Sequence, residues 1–106
     1  MIEVPESRIV VERIDAKDIK MRDLYLQVDD LAEETLMYRE SIAISVIPGL
    51  HRISATNRVN TKTLDIDVIP GETVGIAAVC IPSKSILAML MVLTGIVPYK
   101  IDLWKH

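Results

Sequence analysis

The chain contains no phenylalanine, one tryptophan and three tyrosines, so aromatic side chains make up only 4% of it. A core without aromatic bulk has to be filled by aliphatic side chains, and half of the residues are hydrophobic, mostly Ile, Val, Leu, Ala and Met. That composition excludes a disordered chain. Abundant Ile and Val favour pleated, half-buried surfaces, because branching at Cβ stiffens the side chain. A single cysteine, Cys80, excludes an intrachain disulfide. It sits in the apolar run Ile76-Ala77-Ala78-Val79-Cys80-Ile81, where a thiol packs as a small hydrophobe. Two histidines and one cysteine provide no Cys/His metal-ligand spacing. The four glycines stand alone at 49, 71, 75 and 95, so no phosphate-cradling fingerprint is present, nor is there a Gly-x-Ser-x-Gly elbow.

No apolar stretch reaches the roughly 20 residues of a membrane-spanning helix. Met1-Ile2-Glu3-Val4-Pro5-Glu6 has neither a basic nor an apolar leader region. A reducing, cytoplasmic location is therefore expected. The formal charge of −3 gives no support for nucleic-acid binding. Residues 1–40 hold eleven acids against six bases, which reads as a solvated acidic face.

What the chain does contain is strand punctuation. At 106 residues it is expected to form one domain, 1–106. Sliding the sequence on itself by 22 residues aligns Ile42-Ala43-Ile44-Ser45-Val46-Ile47-Pro48-Gly49 with Leu64-Asp65-Ile66-Asp67-Val68-Ile69-Pro70-Gly71. Apolar residues alternate with small or acidic ones in both copies, the period-two signature of a strand with one buried face. Pro48-Gly49 and Pro70-Gly71 read as type II turns, since Pro presets φ at the first central position and Gly accepts positive φ at the second. New strands follow at His51–Ala55 and Thr73–Val79, so two consecutive hairpins are expected, joined by a loop at Asn57–Asn60. Arg8–Ile14 and Asp23–Val28 read as further strands, with Leu24, Leu26 and Val28 on one face and Asp29-Asp30 as a terminator. Residues 31–40 fit either a short capped helix or an edge strand at Thr35–Tyr38. Tyr99–Trp104 alternates again. The expected fold is mainly β: a small antiparallel sandwich (or partial barrel) of six to seven strands, with one short apolar helix from Lys84 to Leu93.

The segments Val28-Asp29-Asp30, Ile47-Pro48-Gly49-Leu50-His51-Arg52-Ile53 and Ile69-Pro70-Gly71-Glu72-Thr73-Val74 resemble small bacterial β-sandwich modules of the PEGA-like, carboxypeptidase-regulatory-like kind. The resemblance spans about residues 22–80 and rests on turn chemistry. It implies an accessory or interaction domain with no catalytic residues. The chain departs from the PEGA pattern in having Val28-Asp29-Asp30 where an Asp-Gly turn is usual.

Candidate sites are few. Cys80 and His51 are a conceivable nucleophile and base, but Cys80 has no basic or polar sequence neighbours to lower its pKa. Asp29, Asp30, Glu33 and Glu34 are the candidate ligands for a hard cation, although the spacing is not that of an EF-hand loop. Asp65 and Asp67 share an outward strand face, where they guard an edge. Arg52, Arg58 and Lys62 form a small basic group without interleaved aromatics. The run Ile86-Leu87-Ala88-Met89-Leu90-Met91-Val92-Leu93 is apolar all round, and a surface helix would need a polar face. Core element, oligomer interface and membrane-surface element are all open to it. Ile86, Leu87, Met89, Leu90, Met91 and Leu93 are taken as interface residues. The expected function is a non-enzymatic interaction or structural module without a cofactor, forming a homodimer or binding a protein partner. A membrane-surface accessory protein and a small-ligand or cation-binding domain are the alternatives.

Overall fold

The structure, a computed structural model, describes residues 6–20, 23–58, 60–82 and 99–106. Among the described residues eight strands follow one another: β1 (Ser7–Glu12), β2 (Leu24–Val28), β3 (Glu34–Leu36), β4 (Ser41–Val46), β5 (Gly49–Thr56), β6 (Thr61–Val68), β7 (Thr73–Pro82) and β8 (Tyr99–Lys105). They form two four-stranded sheets, ordered β4-β1-β7-β8 and β3-β2-β5-β6. All neighbours are antiparallel except β1 and β7, which run parallel. The protein is thus mainly β, and the described residues alone hold one or two strands more than expected. Among the described residues there is no helix, and so none long and apolar enough to cross a membrane. The expected helix from Lys84 to Leu93, and with it the interface residues Ile86 to Leu93, lies outside the described residues.

Alternation builds the core. Leu24, Leu26 and Val28 of β2 are at most 2% exposed, as are Ile9 and Val11 of β1 and Val74, Ile76, Ala78 and Cys80 of β7. Each such aliphatic side chain taken fully out of water contributes about 1.5–3 kcal/mol. Residues 31–40 resolve in favour of the strand: β3 is a three-residue edge paired with β2, and its Leu36 is fully buried.

The pairing overturns the hairpin reading. β4 does not pair with β5, nor β6 with β7. Both Pro-Gly segments are corners at which the chain leaves one sheet and enters the other. The hairpin is instead the loop at 57–60, which joins β5 to β6 with Thr56 opposite Thr61. There Asn57 N–H donates to the Asn60 carbonyl at 3.1 Å, and the Asn57 carboxamide oxygen accepts from Asn60 N–H at 2.7 Å. A turn motif sets the local change of direction. It does not select the strand that the next run bonds to, because an alternating run can lay its apolar face on either side of the same core.

The two corners also differ. Gly71 has φ of +78°, and Glu72 N–H donates to the Ile69 carbonyl at 3.1 Å, as a type II turn requires. Gly49 has φ of +133°, outside that turn type, and the Ile47 carbonyl is held by the His51 ring instead.

Candidate functional site

A cluster of polar side chains gathers where β2 ends beside β5. Asp29 follows β2 with φ of +53°, a left-handed conformation that Asp tolerates better than most residues. The turn aims its carboxylate back at β5. Oδ1 accepts the Arg52 N–H at 2.8 Å, and Oδ2 lies 2.6 Å from His51 Nδ1. His51 Nε2 lies 2.6 Å from the Ile47 carbonyl oxygen, which only accepts, so that nitrogen carries a proton. Next in β5 and on its exposed side, the Arg52 guanidinium grips Asp65 on β6 at 2.8 and 3.2 Å. Asp29, Leu50, His51, Arg52 and Asp65 line a shallow depression of about 300 Å³.

The electrostatics follow from these contacts. The Asp29 carboxylate, then the Ile47 carbonyl, push His51 above its ordinary 6.5, against the opposing effect of burial. The His51 hydrogen bond and then the Arg52 N–H hold Asp29 below its ordinary 3.8. With both ring nitrogens facing acceptors, the protonated imidazolium satisfies the site completely and the neutral ring cannot. His51, held at both ring nitrogens, therefore acts as a clamp between the β2 terminus and the first corner.

Cys80 is not brought to His51. It is fully buried on β7, 4.0 Å from the Asn57 carboxamide nitrogen. Asn57 lies just past the far end of β5 from His51, and six residues of strand span roughly 20 Å. The acidic quartet is also dispersed. Asp29 serves His51 and Arg52, while Glu33 pairs with Arg58, whose guanidinium lies 3.9 Å from the Tyr25 ring centroid. Asp30 and Glu34 are exposed. Among the described residues no three His, Cys, Asp or Glu side chains converge as a metal site. Arg52 and Arg58 of the basic group are each engaged by an acid.

Sequence reasoning missed a fully buried ion pair. Arg13 Nε and Nη2 donate to Asp18 at 2.8 and 2.9 Å, and both side chains are 0% exposed. Arg13 Nη1 donates to the Leu36 carbonyl at 2.8 Å, while Asp18 accepts the N–H groups of Cys80 and Lys20 at 3.1 and 2.7 Å. Burial pushes the Asp18 carboxyl up, but Arg13 and the two backbone donors outweigh it, and the group sits below its ordinary 3.8. The pair ties the loop after β1 to β3 and β7. Its one signal in the sequence was parity, since Arg13 follows Ser7, Ile9 and Val11 on the inner face of β1.

Comparison with known protein families and with curated proteins gives no match to this chain.

Proposed function

We propose that the protein is a non-catalytic interaction or structural module that associates with itself. The observation behind this reading is the state of β4, an edge strand of six residues without a charged side chain. Its inward residues Ile42, Ile44 and Val46 are only partly buried against the core. At the candidate polar site Asp29, His51, Arg52 and Asp65 are instead all bonded to one another or to the backbone. The resemblance to PEGA-like, carboxypeptidase-regulatory-like accessory modules remains part of the proposal, and a two-sheet sandwich is in keeping with it. On sequence grounds Ile86–Leu93 is a second contact surface for the same association.

Light scattering across a concentration series tests the reading: mass should rise above that of the monomer, and Met89→Lys reports on the second surface. A chain that stays monomeric throughout would refute self-association.

A membrane-surface role is the second reading, favoured by the exposure of Ile47, Leu50 and Ile69 (77%, 75% and 61%) around the two corners. Co-sedimentation with neutral and anionic liposomes, lost on Ile47→Ser and Leu50→Ser substitution, would support it.

A further inference from the structure

A sheet edge is a row of unpaired N–H and C=O groups that invites another strand, and folded proteins guard it with charge or brevity. Three of the edges here are guarded. β3 is three residues long and begins with Glu34. β6 carries Lys62, Asp65 and Asp67, and β8 carries Lys100, Asp102 and Lys105. β4 reads Ser-Ile-Ala-Ile-Ser-Val, with neither charge nor proline. Among the described residues it pairs with β1 alone. Ile9 and Val11 on β1 are fully buried, whereas Ile42, Ile44 and Val46 beside them are not. A strand laid along β4 would complete their cover.

The backbone shows which groups of β4 face away from β1. Arg8 N–H donates to the Glu72 carbonyl on the β7 side, and Arg13 N–H donates to the Glu40 carbonyl on the β4 side. Alternation therefore turns Ser7, Ile9 and Val11 toward β4, where the register sets them opposite Val46, Ile44 and Ile42. Ser41, Ala43 and Ser45 direct their N–H and C=O groups outward.

We propose that β4 pairs antiparallel with β4 of a second copy of this chain, about a two-fold axis through Ala43. The proposal rests on the self-association reading and names its surface. Residues opposite one another in a ladder must point to the same face. With Ala43 facing its own copy, Ser41 meets Ser45 and Ile42 meets Ile44, so faces match and outward backbone groups meet outward backbone groups. No charged side chains of β4 are opposed: its outer face carries Ser41, Ala43 and Ser45, with the Ser45 hydroxyl donating to the Glu6 carboxylate at the β1 side. Six residues a side fall well short of the roughly 20–30 of a standard stable interface, so the dimer is weak and concentration-dependent.

Sedimentation equilibrium on the full chain, from about 10 µM to about 1 mM, covers the affinities of such small contacts. Wild type should move from monomer toward dimer over that range. Ala43→Lys and Ala43→Asp chains should each remain monomeric, because each places like charges together on the axis. An equimolar mixture of the two should dimerise. A double variant, Ser41→Lys with Ser45→Asp, opposes unlike charges twice across the axis and should associate more tightly than wild type at low salt. Ala43 is exposed, and matching thermal unfolding curves will show that the variants fold. If the Ala43→Lys chain dimerises as wild type does, or the double variant fails to tighten, β4 is not the surface although self-association stands. A wild type that is monomeric throughout overturns both proposals. Dimerisation lost only on Met89→Lys assigns the contact to the C-terminal run instead.

Discussion

His51 Nδ1 stands 2.6 Å from Asp29 Oδ2, in a ring only 8% exposed whose other nitrogen meets the Ile47 carbonyl. The folded chain binds that proton more tightly than the unfolded one, so the stabilisation is complete below about pH 6.5 and is lost as pH rises through the elevated value. Asp29 and Asp18 act in the opposite sense. Their contribution is present above about 3.8 and disappears as pH falls through their lowered values.

Thermal unfolding followed between pH 3 and pH 9 should therefore show greatest stability between the two limits, in mild acid. His51→Asn should flatten the decline above pH 6.5 and leave the acid limb in place. A wild-type profile that stays level from pH 6 to pH 9 would mean that His51 is not the titrating clamp described.

The Arg13–Asp18 pair should be the costliest polar contact to break. Removing one partner of a buried, hydrogen-bonded pair leaves an uncompensated charge, worth about 3–5 kcal/mol. Urea unfolding of Asp18→Asn and Arg13→Met should show losses of that order, and the double replacement should recover part of the loss. Single-variant losses below 1 kcal/mol would indicate that water reaches the pair.

The two corner glycines should respond differently to alanine. At Gly71, φ of +78° lies close to the left-handed region that L-residues enter at modest cost, so Gly71→Ala should lose about 1 kcal/mol. At Gly49, φ of +133° is a conformation that side chains rarely adopt, and Gly49→Ala should lose about 2–3 kcal/mol although no atom lies within 4 Å of the new Cβ. Equal losses at the two sites would show that the first corner relaxes.

Cys80 should behave as a packed thiol. Being fully buried on β7, it should react slowly with a thiol reagent in the native protein and quickly in denaturant. Cys80→Ala should lower stability by about 1 kcal/mol. Fast modification of the native chain at neutral pH would reopen a catalytic reading.

Residue order alone placed most of the strands and the inner face of β2, while residues 31–40 stayed open between helix and strand. Leu24, Leu26 and Val28 can share one face only if the segment is extended, and the glycine of each Pro-Gly pair accepts the positive φ of its corner without strain. These are local consequences of Cβ sterics and period-two burial, complete within a few residues. Which strand lies beside which was decided by tertiary structure. Ile42–Val46 would bury its apolar row equally well beside β5 or beside β1. Its place beside β1 depends on filling both sheets at once, a property of the whole core. The same holds for the polar contacts. Asp29 is 22 positions from His51, and Leu36 is 23 from the Arg13 that bonds its carbonyl. A short-range pattern contains no term for such a partner, so the sequence sets His51 beside Cys80 as a conceivable base and does not single out Arg13. Both become determinate only when the two sheets close over them and desolvation requires every buried donor to find an acceptor.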